Sequence, residues 1–69
     1  MKNKTKVRCM EKVHGEFYHE FTFNTFAVPR VGEAIRNDKK LYKVSAVVHD
    51  VKSDYVLLII RQIYNLPLE

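Results

Sequence analysis

A row of alternating cations near the start of the chain is the first feature whose residue types and spacing could do chemistry. The cations lie at even positions: Lys4, Lys6, Arg8 and Lys12. A two-residue period places side chains on one face of a β-strand. In the hairpin expected here, Tyr18 lies opposite Lys12 and adds an aromatic ring to that face. Single-stranded nucleic acids bind such surfaces, with phosphates on the cations and bases stacked on rings. The competing interpretation is a solvated strand face whose charges prevent aggregation.

Three potential metal ligands share the opposite face in the same expected hairpin: Cys9, Glu11 and His19. They could hold zinc, or Cys9 and His19 could form an activated thiolate pair. The spacing matches no zinc motif, and structural zinc sites take four ligands. The favoured interpretation is therefore that Cys9 is a small buried residue beside Phe21, with no metal and no cofactor.

The adjacent pair His49-Asp50 is the remaining candidate for catalysis. Neighbouring residues on a strand point to opposite faces, so the two side chains do not form a dyad. Asp50 is better explained as a turn residue whose carboxylate accepts hydrogen bonds from backbone N–H groups. No serine nucleophile or glycine-rich phosphate loop accompanies the pair. The chain is therefore predicted not to be an enzyme and to have no catalytic residues.

Aromatic residues exceed what the core of so small a domain needs, and some of them could form a surface patch. The candidates for a protein-interaction patch are Phe26, Tyr55, Tyr64 and Leu66. Such a patch would bind an unknown protein partner or a second copy of the chain. The alternative for Phe26 is a core position reached through a β-bulge, because it has the opposite parity from Phe21 and Phe23.

The elements that must position these residues are strands, because apolar and polar residues alternate along most of the chain. The expected strands span residues 5–13, 17–26, 34–36, 41–49 and 55–64. For the first hairpin, a three-residue loop that pairs Val13 with Phe17 also places Cys9 opposite Phe21. A two-residue turn at His14-Gly15 would instead place Arg8 opposite Phe21, so the longer loop is favoured.

The last expected element also fits a helical stripe. Its run Val56-Leu57-Leu58-Ile59-Ile60 is apolar on both faces and suits a central buried strand, which is the preferred interpretation. Five short strands in so short a chain are too few for a sandwich. They predict an all-β fold, a small five-stranded, partly open barrel.

Composition limits the remaining classes. The chain has 69 residues, enough for a single domain, and a net charge of +4 that lies entirely in its first twelve residues. Its one cysteine cannot form an internal disulfide. The longest apolar run has six residues, far short of the roughly 18 that a membrane span needs. The expected domain has a flexible basic arm at 1–4 and a tail at 65–69, whose Leu68-Glu69 is either native or a cloning remnant.

A family resemblance rests on three segments: Pro29-Arg30-Val31-Gly32-Glu33, Tyr42-Lys43-Val44 and Val47-Val48-His49-Asp50. They resemble small bacterial and phage-encoded barrel proteins, in which a Pro-x-x-Gly-Glu turn leads to a strand carrying Tyr-x-Val. The resemblance implies an SH3-like layout, with an OB-like barrel as the alternative, and brings no active site with it. The favoured function is a cytoplasmic interaction module that binds another protein or itself. Nucleic-acid binding by the first strand is the alternative, and no membrane partner is expected.

Overall fold

The regular structure of the chain is entirely β-strand in the computed structural model, which describes residues 3–65. The strands are β1 (Thr5–Val13), β2 (Glu16–Thr25), β3 (Ala34–Asn37), β4 (Lys40–His49) and β5 (Tyr55–Asn65). The all-β prediction with five strands is confirmed. The last element is a strand, so the helical alternative for it is wrong.

The strands form one sheet in the order β2-β1-β5-β4-β3. Strands β1 and β5 run parallel, and the other neighbouring pairs are antiparallel. Strand β5 is therefore central, as its apolar run on both faces predicts. The sheet curls into a half-barrel, which confirms the partly open barrel.

The core fills the concave side of the half-barrel. Its buried side chains come from three adjacent strands: Val7, Cys9, Tyr42, Val44, Val56, Leu58 and Ile60. Phe21 from β2 and Ile35 from β3 pack against this cluster although these strands lie at opposite edges of the sheet. Curling thus lets both edge strands cover one core, because apolar groups leave water when they meet.

The hairpin between β1 and β2 differs from its predicted form in one half. Cys9 pairs with Phe21 as predicted, but the connection is a two-residue turn at His14 and Gly15. Their φ angles of 52° and 82° are the positive values that a type I′ turn requires. A β-bulge at Glu20 absorbs the extra residue. The hairpin therefore has both the two-residue turn and the predicted pairing of apolar residues. The prediction of a three-residue loop is wrong.

A second bulge lies in β4, between Val44 and Ala46. Tyr42 and Val44 are buried as their shared face predicts, but beyond the bulge Val47 takes the inner position. Val48 accordingly lies on the outer side of the sheet and is 42% exposed. Strict alternation along this strand predicts one shared face for Tyr42, Val44, Ala46 and Val48. That prediction is wrong past the bulge, because an inserted residue reverses the alternation.

The Pro-x-x-Gly-Glu segment forms a turn that is fastened to β4. The Gly32 N–H donates to the Val44 carbonyl at 3.0 Å, and the Val44 N–H donates to the Glu33 carbonyl at 2.9 Å. Gly32 has a φ of 92°, which glycine adopts without the steric cost that other residues meet. The predicted turn is therefore confirmed as the connection into β3.

The predicted ends of the chain are covered only in part. Of the arm at 1–4, the first two residues lie outside the described part of the chain. Of the tail at 65–69, Asn65 belongs to β5 and the other residues, among them Leu66, Leu68 and Glu69, lie outside it.

Candidate nucleic-acid interface

The convex face, the side of the sheet turned away from the core, carries the cations of β1. Val7 and Cys9 are fully buried on the concave side. Because side chains alternate along a strand, Lys6, Arg8 and Lys12 point outward from the convex face. The predicted basic row is therefore placed together on one exposed side of the sheet.

The acidic residue of β1, Glu11, lies on the other side of the sheet together with Glu20 of β2. Glu11 accepts a hydrogen bond at its Oε2 from the Gln62 backbone N–H at 3.0 Å. Burial, a hydrogen bond with Glu11 and the charge of Glu11 raise the pKa of the Glu20 carboxyl. Burial, followed by the negative charge of Glu20, raises the pKa of Tyr42. These contacts turn both carboxyl groups toward the core side, so β1 presents only cations among its charged groups on the convex face.

The bulge in β2 determines which aromatic residue stands beside Lys12. Phe17 pairs with Lys12, whereas Tyr18 pairs with Glu11 on the opposite side of the hairpin. The predicted placement of Tyr18 opposite Lys12 is therefore wrong. The two aromatic residues are equally accessible, at 51% and 50% exposure, but only Phe17 belongs to the convex face. The bulge at Glu20 thus reverses which side chains of β2 face the convex side between Glu20 and the turn.

Three cations near the start of the chain each lie over an aromatic ring. The distances from charge to ring centroid are 5.0 Å for Arg8 over Tyr55, 5.4 Å for Lys4 over Phe26 and 5.6 Å for Lys12 over Phe17. Each is within the roughly 6 Å at which cation–π attraction operates. We call these three pairs, with Lys6, the cation–aromatic row. It contains three aromatic rings where the sequence predicted one.

The sequence alone does not place Tyr55 and Phe17 on the basic face, for two different reasons. Tyr55 pairs with Lys6 only because β5 lies parallel to β1, a neighbour that alternation cannot reveal. Phe17 needed the bulge to be located. Phe26 shares even parity with Lys4 and Lys6, and that signal was present in the sequence.

The predicted protein-interaction patch is placed only in part. Phe26 is 60% exposed and Tyr55 is partly buried, and both accompany cations rather than a separate apolar surface. The Tyr64 side chain and Leu66 lie outside the described residues. The described half of this patch is therefore the same surface as the cation–aromatic row.

The possible metal ligands Cys9, Glu11 and His19 do not form a site. His19 pairs with Met10, and its Nε2 lies 2.9 Å from Thr22 Oγ1 on the convex side. Cys9 is buried in the core on the other side. Within residues 3–65 no group of three or more histidine, cysteine or acidic side chains is arranged to hold a metal ion. The expectation that the three share a face is wrong for His19, because of the bulge.

Burial makes Cys9 unreactive as well. Loss of hydration raises the pKa of its thiol to about 11, so at about pH 8 roughly one molecule in a thousand carries the reactive thiolate. We expect the native protein to resist a thiol-labelling reagent, and the same protein in denaturant to be labelled completely. The rate of colour release with an aromatic disulfide measures both. Rapid labelling of the native protein would show that Cys9 is accessible and would contradict its place in the core.

Asp50 serves the turn between β4 and β5, as predicted. Its carboxylate accepts hydrogen bonds from the Lys52 backbone N–H at 2.9 Å and the Ser53 hydroxyl at 3.0 Å. These bonds hold the pKa of Asp50 below its usual value. A polar cleft of about 280 Å³ adjoins this turn and is lined by His49 and Asp54, among others. Both oxygens of the carboxylate accept hydrogen bonds within the turn, which indicates a structural role for Asp50.

A second cleft, also of about 280 Å³, lies between the two edge strands on the open side of the half-barrel. Phe21 and Phe23 line it from β2, and Ile35 lines it from β3. The two phenylalanine rings lie 6.2 Å apart and the ring of Phe21 also contacts Tyr42 at 5.4 Å. This cleft is thus the incompletely covered margin of the core.

The sequence matches no protein-family model, and comparisons with curated proteins and with solved structures gave no match. Residues 3–65 include no helix long and apolar enough to cross a membrane. The cation–aromatic row is therefore interpreted from its own geometry.

Proposed function

We propose that the convex face binds single-stranded nucleic acid. The observation that carries this proposal is the pairing of three aromatic rings with three cations on one side of the sheet. A base stacks on an aromatic ring, and the adjoining phosphate needs a cation close by. Each pair of the row supplies both, and two or three stacking rings are typical of single-strand platforms.

The size of the row suits several nucleotides. Successive cations on β1 are two residues apart, about 6.6 Å, and the distance from Lys4 to Lys12 along an extended strand is about 26 Å. Met10 interrupts the cations between Arg8 and Lys12. Rings and charges contact features that every nucleotide shares, so the expected binding depends little on sequence.

The same contacts could simply stabilise the surface of the protein. A cation over an exposed ring contributes only about 0.5–1 kcal/mol. However, Phe17 and Phe26 remain 51% and 60% exposed with their cations in place. Much of each ring is therefore still available for a base, and a purely structural pair would gain more by covering it.

The test is binding of a fluorescent single-stranded oligonucleotide, followed by anisotropy at several salt concentrations. Each phosphate contact on a single strand contributes about −0.7 to the slope of log K against log salt, so the four cations of the cation–aromatic row alone predict a slope of about −2.8. A duplex of the same sequence should bind more weakly, since its bases cannot stack on the rings. Absence of binding in low salt, or preference for the duplex, would contradict the proposal.

Protein binding is the second candidate, and the apolar cleft between the edge strands favours it. A partner strand could pair with an edge and place side chains against Phe21 and Ile35. The edges themselves disfavour this mode, because β3 has only four residues and β2 is bulged, two features that discourage strand addition. The cytoplasmic location and the bacterial or phage origin stay predictions, and catalysis forms no part of either proposal.

A further inference from the structure

A second group of cations crosses the convex face from strand to strand. Lys43 on β4 pairs directly with Arg61 on β5. On the other side of β5, the parallel pairing with β1 runs up to Glu11 and Ile60, so Lys12 and Arg61 come next in line. Adjacent strands are about 4.8 Å apart, so Lys43 and Arg61 are direct neighbours across the sheet, and Lys12 directly follows the last residue of β1 that pairs with β5. We call Lys12, Arg61 and Lys43 the transverse cation row.

All three side chains project from the convex face. Val44 and Ile60 are buried in the core, and their neighbours Lys43 and Arg61 therefore point away from it. Lys12 lies over the Phe17 ring at 5.6 Å, which places the aromatic residue at the β2 end of the row. The row thus begins where the cation–aromatic row ends.

The transverse cation row is electrostatically unbalanced. Like charges directly opposite one another on neighbouring strands destabilise a sheet. No carboxylate of the described residues forms an ion pair with Lys43 or Arg61; the ion pair within residues 3–65 joins Arg30 to Glu33 in the loop before β3. The folded protein therefore retains a concentration of positive charge that a bound anion would relieve.

Protection against aggregation does not account for this row. Cations that block unwanted strand pairing act at exposed edges of a sheet. Here β5 is the central strand, and β1 and β4 are each hydrogen-bonded on both sides. The three cations lie away from either edge, so recognition of an anion explains them better than edge protection.

We infer that the transverse cation row binds phosphate groups, and that a single strand bound along β1 turns at Phe17 and crosses β5 to β4. This inference rests on the proposed function and adds Arg61 and Lys43 to its phosphate contacts. The bound strand then follows an angled path, with bases stacking along β1 and phosphates continuing across the sheet.

The test compares two double variants with the same change in net charge. Lys43→Gln with Arg61→Gln removes two cations of the transverse row, whereas Lys39→Gln with Lys52→Gln removes two from exposed turns. With six phosphate contacts the wild-type slope is about −4.2, from about −0.7 per contact on a single strand. Losing two contacts should bring the slope to about −2.8 and weaken binding about 25-fold at 0.1 M salt. The turn variant should keep the wild-type slope.

Each outcome decides the question. Equal slopes and affinities for the two double variants would overturn the inference while leaving the proposed function intact. Failure of the wild-type protein to bind any single strand in low salt would overturn both. Chemical denaturation of each variant separates binding from folding, and removing the repulsion between Lys43 and Arg61 should leave the protein at least as stable as before.

Discussion

Replacing Leu58 with alanine should lower the free energy of unfolding by about 3–4 kcal/mol, the usual cost of a leucine deleted from a core. Leu58 is fully buried on central strand β5, paired with Cys9 on one side and Val47 on the other. The alanine variant would leave a cavity in the core beside β1 and β4, the two strands that flank β5. Domains of 69 residues have about 3–10 kcal/mol of stability in total, so this one substitution should remove between about a third and all of it.

Leu57 provides a matched control for this substitution, since it is the same residue type one position earlier. It pairs with Val48 and Arg8 on the convex face and is only partly buried. Leu57→Ala should cost about 1 kcal/mol, because less apolar surface is lost and no closed cavity forms. Urea denaturation followed by circular dichroism measures both variants. Equal losses would show that β5 does not divide the sheet into a core side and a convex side.

The architecture was largely predictable because alternation is a local property. Five strands and the burial of Val7 beside Phe23 follow from which residues are apolar at a period of two, and the central place of β5 follows from its run of residues that are apolar on both faces. The parallel pairing of β1 with β5 does not follow from that period. It joins residues about fifty positions apart, and only the curl of the whole sheet brings them together.

Bulges explain the errors in the predicted faces. Glu20 inserts one residue between a tight turn and a well-matched apolar register, so both competing hairpin interpretations were correct over part of the hairpin. Nothing in the alternation distinguishes one bulge from a longer loop, since both add one residue. The bulge therefore changes the candidate site, because Phe17 and not Tyr18 lies beside Lys12.

The candidate site was therefore predictable along β1 and not across strands. Lys6, Arg8 and Lys12 lie on one strand and needed only its alternation. Tyr55 and Arg61 come from a distant strand, and their relation to β1 depends on the parallel register. Alternation shows which residues of one strand share a face, but it does not show which residues of another strand lie beside them.

Replacing Phe17 with alanine should weaken binding of a single-stranded oligonucleotide by about 5- to 150-fold, which corresponds to the 1–3 kcal/mol of one stacked base. Phe17 lies on the convex face, beside Lys12 and at the junction of the two cation rows. Losing the ring removes the stacking surface but no charge. The salt slope should therefore stay near its wild-type value while the affinity falls, a combination that separates stacking from phosphate contacts.

Tyr18→Ala is the control that tests the face and not merely the hairpin. Tyr18 is as exposed as Phe17, at 50% against 51%, but it lies on the other side, where its hydroxyl donates to Glu16 Oε1 at 2.9 Å. Its loss should change the affinity less than about twofold, since it removes no group from the convex face and stacking is a contact interaction. Equal weakening by the two variants would place the nucleic acid around the hairpin end instead of on one face. Stronger weakening by Tyr18→Ala would move the interface to the concave side and contradict the path along β1.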